Sequence, residues 1–262
     1  MEFTVLTIFP DMFQALLGHG IIRKAISLKK INVTILNIRD FAPGPHRVTD
    51  DTPYGGGCGM VMKPEPLASA IREAKHRACG SKTILLTPQG RVFTQDIARS
   101  LLTFDGLILV CGRYEGVDER IRSDFVDFEI SIGDYVLTGG ELAAMVIIDA
   151  VTRLIPGTLG GADSAGKDSF SDYLIEHAHY TKPRTFEGQS VPEMLLSGHH
   201  QEIEKWRLES SLIRTFLKRK DLLERRALSR QEIDILKKWR FELENIIHSQ
   251  SVRSPDTLSG SQ

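Results

Sequence analysis

The chain has 262 residues, 41% of them hydrophobic and 26% charged, with a formal net charge of −1. That length holds one large domain or two small ones, and the balance is globular rather than disordered or fibrous. With no apolar run near the roughly 18 residues of a membrane span, no secretory leader, and three scattered cysteines (Cys58, Cys79, Cys111) that suit neither a disulfide framework nor a zinc site, the expectation is a cytoplasmic protein with no membrane partner.

In chain order, residues 3–9 read as a strand and 11–26 as a helix interrupted by glycines. Residues 31–38 and 82–87 read as strands, 94–104 as a helix, 106–112 as a strand, 117–125 as a helix and 127–133 as a strand. The strands are rich in β-branched residues and alternate with helices, which predicts an α/β layer fold around a largely parallel sheet. From Thr138 to Pro156 a nearly continuous apolar stretch predicts a helix buried on most sides. Thr138 and Glu141 have capping-box spacing, and Asp149 and Arg153 share a face at i,i+4.

Residues 157–172, GTLGGADSAGKDSFSD, have the composition of a linker. The chain then reads as mostly helical from about 190 to 247, with Ile203, Trp206, Ile213, Phe216 and Leu217 as its apolar stripe. The polar tail 248–262 reads as disordered. Charge is uneven: residues 1–172 hold 18 Lys+Arg against 21 Asp+Glu, and the remainder holds 15 against 13. In 214–226 six basic residues (Arg214, Lys218, Arg219, Lys220, Arg225, Arg226) meet two acidic ones. That stripe reads either as a contact for a polyanion or as a solvated helix face. Trp206 reads as core before stacking platform.

The segment PYGGGCGM, residues 53–60, puts four glycines into five positions, a costly concentration of backbone freedom. It matches neither a P-loop nor a dinucleotide fingerprint, since Met60 and Met62 stand where glycine would be needed. His177 with His179 and His199 with His200 lack the companion ligands of a metal site. Three further glycine-bearing loops, LLTPQGR, CGRYEGVDER and SIGDYVLTGGE, each follow a strand. Ligands of open α/β sheets bind at the carboxyl ends of strands, so these loops predict a pocket walled largely by backbone.

PYGGGCGMVMKPEP, TPQGR, CGRYEGVDER, SIGDYVLTGGELAAMVIIDAVTRLIPG, DSF, HYTKP and VPEMLLSGHH occur in this order. Together they resemble the bacterial tRNA (guanine-N1)-methyltransferases, over roughly residues 1–245. The resemblance implies a SPOUT-class fold with a deep trefoil knot in the α/β domain, against the general rarity of knots. It divides the chain into a knotted S-adenosylmethionine-binding domain over 1–156, a linker over 157–172 and a small all-helical tRNA-binding domain over 173–247. It also implies a homodimer with active sites at the subunit interface, and Mg2+.

Carried over by matching position, the S-adenosylmethionine site comprises Leu85, Leu86, Pro88, Gly112, Tyr114, Glu115, Ile132, Gly133, Asp134, Tyr135, Val136, Leu137, Gly139 and Gly140. For Tyr114 a packing role against the sheet stays open. The catalytic pair falls on Asp168, as general base for the guanine N1 proton, and Arg153, stabilising charge on the base. For Arg153 a helix salt bridge with Asp149 stays open. Tyr54, Gly55, Gly56, Gly57 and Gly59 are expected to line the entry of the target base, with His199, His200, Arg214 and Lys218 on the tRNA-contact side. Lys167 stands before Asp168 where many relatives carry an acidic residue, which is expected to keep Asp168 a base to lower pH and to weaken the need for magnesium. The rival readings are a ribose 2′-O-methyltransferase of the same class and a non-catalytic RNA-binding knot protein.

Overall fold

The computed structural model describes residues 1–160 and 168–251. The chain divides into two compact units, Met1–Ala165 and Gly166–Gln262. Residues 161–167 of the expected linker, Lys167 among them, and 252–262 of the expected tail lie outside the described residues.

The first unit is built on five strands: β1 (Glu2–Thr7), β2 (Asn32–Asn37), β5 (Lys82–Val92), β6 (Gly106–Cys111) and β7 (Phe128–Ser131). They form one sheet in the order β2-β1-β6-β5-β7, and every pairing is parallel. The short strands β3 (Asp50–Asp51) and β4 (Val61–Met62) make a separate antiparallel ribbon. β6 is buried along its whole length, as a central parallel strand covered on both faces must be, and its sequence GLILVC is accordingly apolar without alternation.

Two clusters fill the two faces of the sheet. On one, Phe3, Val5, Leu107 and Leu109 meet Ile22 and Ala25 of α2 (Gly20–Ser27), Ile97 and Leu101 of α4 (Gln95–Leu101), and Ala144, Ile147 and Val151 of α6 (Glu141–Leu154). On the other, Leu6, Leu85, Ile108 and Val110 meet Leu67, Ile71 and Ala74 of α3 (Pro64–Arg77) and Ile121 of α5 (Glu119–Phe125). Alternate strand residues supply opposite faces, so β1, β2, β5 and β6 each feed both clusters. The α3 segment, unassigned from the sequence, opens with Pro64 at its first turn and spaces its buried positions three and four apart.

Three further expectations need correction. The 11–26 segment, expected as one helix interrupted by glycines, is a 3-10 turn, Pro10–Phe13, followed by two short helices, α1 (Gln14–Gly18) and α2, with His19 extended between them and Gly20 opening α2 at a positive φ of 63°. β5 runs on to Val92: Leu86 and Arg91 both pair with Ile130, so Thr87–Gly90 bulge out of the ladder between them. The capping box of α6 does not form. Its cap is Gly140 with no side-chain bond, and Glu141 turns into the protein, where it is 1% exposed.

The second unit carries α7 (His200–Lys218), α8 (Lys220–Leu223) and α9 (Arg230–Ser251), with a 3-10 turn at Glu193–Leu196. It is not all-helical. β8 (Thr185–Phe186) and β9 (Gln189–Ser190) form a two-stranded ribbon. Its two-residue turn places Glu187 (φ 49°) and Gly188 (φ 80°) in the left-handed region, which favours a tight hairpin. The inward face of α7 also differs from the expected stripe. Leu212 and Thr215 are fully buried, whereas Ile213, Phe216 and Leu217 are exposed. Hydroxyls decide this: Thr215 Oγ1 accepts from Ile175 N at 2.9 Å, Ser210 Oγ accepts from Ala178 N at 3.0 Å, and Ser211 Oγ donates to the Ile175 carbonyl. An extended segment is thereby strapped along the helix. Trp206 is half-buried, its ring edge-on to His177 and near Tyr180.

Candidate active site

At the carboxyl ends of β5, β6 and β7 the first unit encloses a cavity of about 300 Å³, at the lower bound for sites that hold small organic ligands. Three loops form its walls: the Thr87–Gly90 bulge, the segment Gly112–Val117 and the segment Ile132–Gly140. Thirteen of the fourteen positions assigned to the methyl donor line it; Asp134 does not. Tyr114 is not packed into the sheet. It takes a left-handed φ of 59° and is half-exposed on the cavity wall.

Close approach explains the glycines of the walls, aided at Gly133 by a positive φ of 149°. A Cβ on Gly140 would lie 2.8 Å from the Cα of Cys111, and the Gly140 N–H donates to the Gly112 carbonyl at 2.9 Å. Two walls are thus joined backbone to backbone. Gly133 carries the Tyr135 ring, with Cε1 2.5 Å from where a Cβ would sit, and the Tyr135 hydroxyl donates to the Ile132 carbonyl at 3.2 Å.

The sequence gives no direct sign of the polar rim. Arg122 Nη1 donates to Gln89 Oε1 at 2.6 Å, and its guanidinium pairs with Glu129 at 2.8 Å and Glu119 at 3.3 Å. The Glu129 hydrogen bond and charge raise the Arg122 pKa further above its already high value. Arg122, Gln89 and Glu119 all line the cavity. The only available signal was their position within or just after the strand-end loops.

The glycine-rich loop lies beside this cavity. Glu115 N donates to the Met60 carbonyl at 3.0 Å, and Met62 N donates to the Gly116 carbonyl at 2.9 Å. All four of its glycines have positive φ, and Tyr54 is fully exposed. Gly55 and Gly56 have open space where a Cβ would go; at Gly59 that Cβ would sit 2.3 Å from the Glu115 carboxylate.

Arg153 lies exposed near the end of α6, in the first unit, and Asp168 belongs to the second. In that second unit His199 caps α7 and His200 opens it, both exposed. Arg214 Nε donates to the Glu176 carbonyl at 3.1 Å and Lys218 ends α7, exposed. The basic stripe is only partly free. Arg219 is paired with Asp221 at 2.8 Å, and Arg226, 12% exposed, pairs with Glu232 at 3.0 Å and Asp172 at 3.1 Å. Arg226 is therefore held between two carboxylates and mostly covered. Among the described residues no three His, Cys, Asp or Glu side chains gather into a metal-binding group.

An open parallel sheet with a backbone-walled cavity at its strand ends defines an α/β ligand-binding protein. Residues 1–225 match the family described as tRNA (Guanine-1)-methyltransferase TrmD, and the chain belongs to that family. The tRNA (guanine-N(1)-)-methyltransferase of Desulfatibacillum aliphaticivorans is 53% identical over 259 residues, covering 99% of both chains. That of Syntrophotalea carbinolica is 55% identical over 232 residues, 88% of this chain and 94% of its own. The crystal structure of tRNA (m1G37) methyltransferase from Aquifex aeolicus superposes with a TM-score of 0.69 at 39% identity, over 86% of this chain and 95% of that one. No helix among the described residues is long and apolar enough to cross a membrane.

Proposed function

We propose that this chain transfers a methyl group from S-adenosylmethionine to N1 of the guanosine 3′ to the tRNA anticodon, position 37, in the cytoplasm. The observation that carries the reading is the convergence of thirteen of the fourteen family-matched donor positions on one cavity. When bound there, S-adenosylmethionine supplies an electrophilic methyl on sulfur. The backbone of Leu86, Gly112 and Gly140 offers the close approach that a flat adenine edge needs, and Ile132 and Leu137 offer it apolar surface.

Guanine N1 bears a proton and is a poor nucleophile until that proton leaves. Asp168 takes it as general base, and Arg153 stabilises the charge that then spreads toward O6. The glycine-rich loop, fastened to the cavity wall through Met60 and Met62, admits the unstacked base beside the donor site.

We further propose that the first unit carries the family's knot and works as a homodimer. In support of the knot, the chain leaves edge strand β7 and returns as α6 to pack on β1 and β6, across β5. In support of the dimer, α6 exposes Leu142 (49%) and Val146 (44%), with Phe9 (41%) and Met12 (39%) also exposed. Leu142, Val146, Asp149 and Arg153 fall at i, i+4, i+7 and i+11, so Arg153 shares the stripe a second copy would cover.

The test is methyl transfer to two tRNA transcripts that both carry guanosine after the anticodon, one with guanosine and one without at the last anticodon position. Transfer to the first alone, reduced about 10²–10⁴-fold in Asp168→Asn with cofactor affinity retained, is the expected result. Cofactor binding with transfer to neither transcript would overturn it.

A further inference from the structure

Glu141 is the most conspicuous charged group that the proposed chemistry leaves unused. It begins α6, where a carboxylate normally faces solvent, yet it is 1% exposed. Burying a carboxylate is costly unless both oxygens are satisfied and a counter-charge is near. Both conditions hold. Thr7 Oγ1, at the end of β1, donates to Oε1 at 2.8 Å, and Arg113 Nε donates to Oε2 at 3.0 Å. The thiol of Cys111 beside them is pushed well above its usual range, first by burial and then by the Glu141 charge.

Arg113 connects this buried pair to the cavity. It lines the wall, and its backbone forms a bridge with Gly139 of the opposite wall. A Cβ on Gly139 would lie 2.2 Å from Arg113 Nε and 2.6 Å from Glu141 Oε2, so the second wall rests directly on the ion pair. The outer face of the guanidinium covers the Phe9 ring, with Cζ 4.5 Å from its centroid, and Nη2 lies 3.6 Å from Met12 Sδ. Glu141 and Thr7 do not line the cavity themselves. Buried ion pairs are often no more stabilising than apolar replacements, so stability alone does not account for this one.

We propose that Glu141 is a positioning residue for the methyl-donor pocket, acting through Arg113. With Thr7 fixing its carboxylate, it sets the spacing between the Gly112–Val117 and Ile132–Gly140 walls. This rests on the reading of the cavity as the S-adenosylmethionine site.

The experiment measures S-adenosylmethionine affinity by calorimetry, the KM for tRNA and thermal stability for the parent, Glu141→Gln, Arg113→Gln, the double variant and Gly112→Val. Glu141→Gln keeps the shape and the bond from Thr7 but removes the charge. Its cofactor affinity is expected to fall roughly tenfold or more, with the KM for tRNA unchanged. Arg113→Gln added to it should cost little further, because both substitutions break one interaction. Cofactor affinity equal to the parent in Glu141→Gln would overturn the proposal. So would a fall in affinity and melting temperature together with a raised KM for tRNA, which marks a purely structural role. Gly112→Val tests the underlying reading: if the parent binds no S-adenosylmethionine, or Gly112→Val binds it as the parent does, the cavity assignment fails first.

Discussion

At Gly59 and Gly56 the same residue type serves two different physical needs. Gly56 has φ 79° and open space around it, so alanine there meets only backbone strain, about 1 kcal/mol. Gly59 adds a collision with the Glu115 side chain on the cavity wall. Gly59→Ala is therefore expected to displace Glu115 and lower methyl transfer well below Gly56→Ala; equal rates for the two variants would refute this. The cysteines differ in the same local way. Cys58 and Cys79 are exposed and Cys111 is fully buried. A thiol reagent should therefore modify two groups quickly in the native protein and the third only on unfolding. Because burial raises the Cys111 pKa, the unfolded state alone loses that proton as pH rises past about 8.5. Its contribution to stability is thus whole below that pH and declines above it. Cys111→Ala should flatten the alkaline side of a melting-temperature profile.

Among the elements, α6 carries the most. Its inner face, Ala143, Ala144, Ile147, Ile148 and Val151, is buried against the sheet, and its first residue holds the Arg113 pair. Its outer stripe is apolar and exposed at Leu142 and Val146. Leu142→Arg with Val146→Glu leaves the inner face untouched, so sedimentation should report a folded monomer, and transfer activity should fall with it. A dimer of unchanged stability would count against that surface. The sequence indicated the helix, since continuous apolarity over a dozen positions has few other solutions. It misled at the cap, because Thr138 and Glu141 match a local motif while the Glu141 partners, Thr7 and Arg113, are remote in the chain. The same limit explains α7, whose inward face is set by Ser210, Ser211 and Thr215 bonding to residues 175–178, a pairing that apolar periodicity does not register.

For the molecule as a whole, the two units divide the work proposed for it. Contacts to tRNA phosphates give salt-dependent affinity without base identity. Lys218→Ala is expected to weaken tRNA binding and to lower the slope of log affinity against log salt by roughly one contact's share. Arg226→Ala should instead lower the melting temperature, since it leaves nearly buried Glu232 without its cation. Identical salt slopes for Lys218→Ala and the parent would remove Lys218 from the interface. By itself the sequence determined the alternation of strands and helices, the ends of the sheet where loops gather, and the family to which those loops belong. Such features are written in local order and period. Only the tertiary structure decided which residues complete the cavity, where Arg122 and Arg113 find their carboxylates, and that the glycines of its walls answer to close contact. Arg113 with Glu141, Thr7 with Glu141 and Arg122 with Gln89 are remote in the chain, brought together when the parallel sheet places the ends of β1, β5, β6 and β7 side by side. Arg122 finds Glu119 within α5, and Glu129 only because α5 and β7 fold against each other.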